Sequence, residues 1–323
     1  MSKKLKIILV IILILATVLV FMAFNKKNSQ EERVLRLAIP SVLHSGPIFV
    51  LDELNLLEKY VPNVKLELTI IENGSAVNEA FLANQIDGGL HNITNFLIGI
   101  DKNIPYKILT SLSHGTISIQ TNNPEINSFK DIKKSDIISM GSLTGTSGLI
   151  LRLATQQYFG NYNALDEQII IMGRDESQMA LINKSGGITL AISDLAGRKV
   201  LEESGCKTIL EDRELFEGDL LTTCLVFSEN YYNENKDIME GFLKAVEEAI
   251  ELLYEKDENA LEIVTKKTGM EKADFIEQLD SKDQIYLLNS YSSIDVFADM
   301  SINVGLISSK KSLDNIIFNY SGN

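Results

Sequence analysis

The 323-residue chain has no tryptophan, only five prolines, three histidines and two cysteines. Cys206 and Cys224 form no C-x-x-C pair, which excludes a cysteine metal site and a dithiol redox motif. A disulfide between them is permitted outside the cell, with two buried free thiols as the alternative. No G-x-S-x-G elbow or H-E-x-x-H is present, so hydrolase and zinc-peptidase chemistry have no carrier. Positive charge is also scarce. Subtracting the six Lys/Arg and two Asp/Glu of residues 1–33 from totals of 30 and 44 leaves 24 basic against 42 acidic residues, a net charge of −18. Such a surface repels phosphate backbones, and no basic run relieves it, so nucleic acid is excluded as a partner. No repeat of solenoid length and no low-complexity tract occurs.

What is present begins with a membrane signal. Lys3, Lys4 and Lys6 precede an uninterrupted weakly polar or apolar run over residues 7–24. A secretory core usually spans ~7 to 15 residues and ends in a small-x-small cleavage site. This run is longer, and Phe21 stands two positions before Ala23. As a helix it reaches ~27 Å, close to the ~30 Å hydrocarbon core. Residues 1–24 therefore read as an uncleaved anchor rather than a cleaved signal, with the basic end in the cytoplasm and the rest outside the cell. No cysteine lies nearby to carry a lipid. Residues 25–33 are polar and read as a tether.

From residue 34 the pattern alternates. Strands are expected at 34–39, 64–71, to about 90, and 106–112, with helices at 47–60, 75–84 and 92–101. Ser75 is the expected N-cap of the second helix. The alternation resumes after residue 116, with strands at 137–140, 168–172, 188–192 and near 208–210, and helices at 146–159, 176–183 and 195–203. Such βαβα order predicts two similar α/β lobes with mostly parallel sheets. After the strand-like LLTTCLVF the chain is expected to be helical to its end. Met239, Phe242, Ala245, Val246, Ala249, Ile250, Leu252 and Leu253 fall on one apolar stripe of a helix over 238–256.

Four segments carry a resemblance. LRLAIPSVLHSGPIFVLDELNLLEKY is similar to an opening strand, a loop with a small residue and proline, and a helix ending in G-L-F, with Asn55 in place of the glycine. ENGSAVNEAFLANQIDGGLHN is similar to a G-S, A-L-x-x-G-x-I-D-x-G pattern, with Asn84-Gln85 for the small-glycine pair. NSFKDIKKSDIISMGSLTGTSG is similar to S-x-x-D-L-K-G-K-x-I-x-x-x-x-x-G-S, and DESQMALINKSGGITLAISD to A-L-x-x-G-x-x-D-A-A. In this order, over about residues 34–230, they resemble the ABC-transporter solute-binding proteins for nitrate, sulfonate, taurine and thiamine-precursor pyrimidines, the SsuA/THI5-like, NMT1-like family. The resemblance implies the type II periplasmic-binding-protein fold: two α/β lobes joined by two crossover strands. Residues 34–115 plus 226–323 would form lobe 1 and the C-terminal helices, and 116–225 lobe 2. It further implies capture of a small solute by hinge closure and delivery to a permease and its ATPase. The alternative is a tethered sensor of the same fold. A thiamine-pyrimidine synthase shares the fold but uses a cysteine-rich motif with histidines that this chain lacks, so no enzyme activity and no cofactor are expected.

In parallel α/β sheets, ligands bind beyond the carboxyl ends of the strands, where loops and helix N-termini converge. That rule selects Ser41, His44 and Ser45 after the first strand, His91 and Asn92 after the third, and Ser113 and His114 after the fourth. The three imidazoles could hydrogen-bond a polar heterocycle or an anion; a metal ion or chelate is a lesser alternative, since no carboxylate or cysteine completes a ligand spacing. On the second lobe, Ser142, Thr144, Gly145, Thr146 and Ser147 lie in a glycine-rich link to a helix start that favours an acceptor or anion but lacks the lysine of a nucleotide loop. Arg174 could clamp an acid, and Asp194 could accept from an amine or pyrimidine.

Overall fold

The computed structural model describes residues 33–216 and 220–319. The expected anchor (residues 1–24) and all of the tether except Arg33 lie outside the described residues. Among the described residues, no helix is long and apolar enough to cross a membrane.

Two sheets organise the chain. β1 (Arg33–Ile39) pairs in parallel with β2 (Val64–Ile70) and β3 (Gly88–Asn92). β4 (Tyr106–Gly115) runs almost directly into β5 (Ile117–Thr121), which carries the chain into the second sheet. There β6 (Ile137–Met140) lies parallel to β7 (Ile169–Ile171) and β8 (Ile188–Asp194), while β5 is antiparallel to β8 and to β9 (Lys207–Glu211). The chain then returns through β10 (Thr223–Ser228), antiparallel to β3 and β4, and later adds β11 (Gln284–Tyr286) against β4. The sheet orders are β11-β4-β10-β3-β1-β2 and β7-β6-β8-β5-β9. Because β10 pairs along its whole length inside the first sheet, the return to lobe 1 is complete before Thr223, earlier than a boundary at 225/226.

Other departures have local causes. The helix expected over 47–60 is two helices, Gly46–Glu53 and Leu56–Tyr60, because Asn55 is left-handed at φ 53°. Asn84 is likewise left-handed at φ 52°, after the Gly74–Leu82 helix. Asparagine tolerates this conformation better than other side-chain-bearing residues, so both asparagines supply the turn that glycine supplies in the family pattern. That helix is capped by Asn73, which accepts the Ser75 N–H, and not by Ser75 itself. The C-terminal region is not wholly helical, since β11 interrupts it.

The long amphipathic helix Lys236–Tyr254 buries Met239, Phe242, Ala245, Val246, Ala249, Ile250 and Leu253 as the stripe predicts, while Leu252 is only partly buried. It packs on the helices Gly46–Glu53 and Leu56–Tyr60 and, with the helix Glu258–Thr268, closes the main core of lobe 1 over β1. The motif residues also have structural work. Asp87 accepts the Arg36 backbone N–H at 2.9 Å and pairs with its guanidinium at 2.6 and 3.0 Å, clamping β1 to the start of β3. Ser128 and Asp131 form a capping box that turns the chain before β6. Cys206 and Cys224 are free, buried thiols in different lobes, Cys206 beside Leu181 and Leu201 and Cys224 on β10, so the permitted disulfide is not formed.

Candidate functional site

Several strand ends converge on a cavity of about 650 Å³ between the lobes. From lobe 1 come the loop after β1, the turn after β2, Asn92 at the end of β3 and the β11 edge; from lobe 2 come the loop after β6, the start of the Arg174–Ile182 helix and the end of β8. The volume suits a small solute, for which pockets of ~300 to 1,000 Å³ are usual.

Of the residues selected from sequence, Ser41, His44, Asn92, Thr146, Ser147, Arg174 and Asp194 line this cavity. His44 is half-buried, and its Nδ1 lies 3.0 Å from the Ser113 hydroxyl. Burial first, then the neighbouring His114 ring and the Arg174 charge, lower its pKa from 6.5 to about 4, so it is a neutral ring at pH 7. Asn92 caps the Ile93–Asp101 helix by accepting the Asn95 N–H at 2.8 Å. Arg174 begins its helix and reaches Asp194 at 2.8 Å, while Asp194 also caps the Leu195–Glu203 helix by accepting the Gly197 N–H at 3.1 Å. The Thr146–Phe159 helix starts at Gly145 with no side-chain cap, so its first N–H groups remain for a ligand. Gly148 is required there, since a Cβ would come 2.2 Å from the Leu143 carbonyl oxygen.

The other selected residues are placed differently. Ser45 is buried and donates to the Pro40 carbonyl at 2.7 Å. Ser113 is buried behind His44. His91 points into the lobe 1 core against Phe81 and Tyr106, and neither ring nitrogen finds a partner there. His114 is buried at the crossover, with Nδ1 at 3.1 Å from the Thr222 hydroxyl and Nε2 at 3.1 Å from Asp212. Ser142 and Thr144 bond one another at 3.2 Å on the exposed loop beside Gly145.

Sequence reasoning passed over Glu72, Ser193, Thr222, Asp283 and Gln284, which also line the cavity. Glu72 and Ser193 follow or close strand ends and were within reach of the same rule. Thr222 and Gln284 were not, because they flank or belong to antiparallel strands that arrive from distant segments. Asp283 anchors a charged network: it meets Arg198 at 3.2 Å and Arg213 in a short contact, and Arg198 and Arg213 hold Glu211 at 2.5 and 2.7 Å. Burial alone would raise the Asp283 pKa, but the Ser281 hydroxyl and the two arginines outweigh it and hold the carboxyl below its ordinary value. Beside this network Lys199 reaches Asp274 at 3.0 Å and Glu277 at 2.6 Å, tying the Leu195–Glu203 helix of lobe 2 to the Lys272–Asp280 helix of lobe 1. Among the described residues, no group of three or more His, Cys, Asp or Glu could hold a metal ion.

Comparison with known proteins places this architecture. The structure is similar to the periplasmic aliphatic sulphonate binding protein SsuA from Escherichia coli, with a TM-score of 0.74 and 16% identity over 89% of this chain and 92% of that one. It is similar to the periplasmic nitrate-binding protein NrtA from Synechocystis PCC 6803, at 0.67 and 16% over 89% and 86%. It is also similar to the ligand binding component of an ABC-type import system from Staphylococcus aureus with zinc bound, at 0.68 and 17% over 88% and 96%. At these identities the likeness is one of fold, the two-lobed periplasmic-binding-protein fold. No curated protein sequence matches the chain. The profile of the family described as NMT1/THI5 like matches residues 62–260, more than half of the chain and both lobes, and the chain therefore belongs to that family.

Proposed function

We propose that the protein is the extracytoplasmic solute-binding component of an ABC importer, tethered by the apolar run at residues 7–24, and that it catalyses no reaction. It captures a small solute of the nitrate, sulfonate, taurine or pyrimidine type between its lobes and passes it to a permease and its ATPase. One observation carries this reading: a solute-sized cavity lined by polar groups from both lobes, at the carboxyl ends of strands in both sheets. The two chain passages between sheets provide the hinge such capture needs. The Lys199 and Asp283 contacts across the lobes supply interactions that a closed form keeps and an open form loses. The test is thermal unfolding and small-angle scattering of the full chain in detergent against sulfonates, nitrate, pyrimidines and amino-acid-like solutes. Capture predicts that at least one solute raises the transition temperature and compacts the particle. If no solute does either, the reading is wrong.

A further inference from the structure

The charges around the cavity are sharply constrained. Among the described residues that line it, Arg174 is the one permanent cation, set against the carboxylates of Glu72, Asp194 and Asp283. Asp283 is matched by Arg198 and Arg213, which are themselves shared with Glu211. Arg174 is matched by Asp194 at 2.8 Å. Glu72 adds a further negative charge at the rim, where it accepts the Ser41 N–H at 3.0 Å. His44, neutral at pH 7, offsets none of this. The walls therefore present no surplus of positive charge to an incoming anion.

When the lobes close, water leaves and any charge without a partner becomes costly. A bare anion that takes Arg174 leaves Asp194 without its partner, and a bare cation that takes Asp194 strands Arg174. A molecule with both charges leaves neither stranded. Resting on the capture reading above, we infer that the cleft selects a compact zwitterion, a solute with a protonated amine and an acid group a few ångströms apart, over a bare anion of the same size. The acid group meets Arg174 and the uncapped N-terminus of the Thr146–Phe159 helix, which adds a partial positive charge on the same side. The amine meets the Asp194 Oδ2 atom, the oxygen that faces Arg174, while Oδ1 keeps the Gly197 cap. Specificity then arises from rejection of the amine-less analogue as much as from attraction of the right one.

Matched pairs test this directly. The full chain is titrated calorimetrically with taurine against ethanesulfonate and with β-alanine against propionate, alongside nitrate, an uncharged pyrimidine and a set of α-amino acids. The expected result is that amine-bearing solutes bind at least tenfold tighter than their amine-less partners. Asp194→Asn, which keeps the helix cap and removes the charge, should erase that preference, and Arg174→Gln should weaken every acid-bearing probe. Circular dichroism and the melting temperature confirm that both variants fold. Equal or tighter binding of ethanesulfonate, propionate or nitrate overturns the inference and leaves capture standing. Binding only of uncharged pyrimidines does the same. If no probe of any class binds, the capture reading itself falls.

Discussion

A buried imidazole with two unpartnered nitrogens is an unusual thing to find between Phe81 and Tyr106, and His91 is one. Burial lowers its pKa from 6.5 to about 3. Between those values the unfolded chain binds a proton that the fold refuses, so stability falls as the pH drops from 6.5 toward 3 and is insensitive to this group above 6.5. His91→Leu removes both unpartnered nitrogens at similar volume. Urea denaturation should show the variant as stable as the parent at pH 8 or more stable by about 1 kcal/mol, with a larger advantage at pH 5. A loss of stability at both pH values would mean that the ring nitrogens are satisfied in solution. Of the three imidazoles that the strand-end rule selects, His44 lines the cavity while His91 and His114 are buried away from it, and the reason is length. β3 runs to Asn92 rather than about Leu90, and β4 to Gly115 rather than Leu112, so both rings sit within the sheet instead of in the loops beyond it. A slip of two or three residues at a strand end moves a side chain from a cleft into a core.

Elements were legible where the local pattern alone decides them. The helix Lys236–Tyr254 is announced by its stripe, and the parallel strands by their alternation with helices. β5 and β11 were not, since five- and three-residue strands carry little periodicity and exist because β8, β9 and β4 arrive beside them. Asparagine at the two glycine positions of the family pattern is a case where an apparent mismatch preserves the element. Asn55→Gly should change unfolding stability by no more than a few tenths of a kcal/mol, whereas Asn55→Ala should cost about 1 kcal/mol, because a Cβ without a local hydrogen-bonding group is strained at φ 53°. Chemical denaturation of the two variants side by side checks this, and equal costs would show that the left-handed turn is not what selects the residue.

At the scale of the whole molecule, the two-lobe division was readable from sequence, because each lobe repeats the same alternation, but the contacts between lobes were not. Lys199 and its partners lie more than 70 residues apart, and no pattern in a single sequence pairs them. Lys199 is two-thirds buried, and its pKa is raised by Glu277 and Asp274. Lys199→Glu would set three carboxylates together across the gap between lobes. We expect the unliganded variant to have a larger radius of gyration in scattering, and solute affinity to fall roughly three- to tenfold at low salt, with the difference shrinking at high salt. An unchanged radius and affinity would show that these ion pairs are ornaments of the surface.

The Leu195–Glu203 helix has a further consequence. It is little more than two turns long, with the Asp194 carboxylate facing the cavity at one end and Lys199 gripping the other lobe one turn later. Val200, next to that grip, is 45% exposed. An environment-sensitive dye attached there would sit outside the cavity yet beside the seam, where closure changes its surroundings. The same short rod that joins recognition to grip would thus let the protein be read out optically as a sensor, without a label in the binding site.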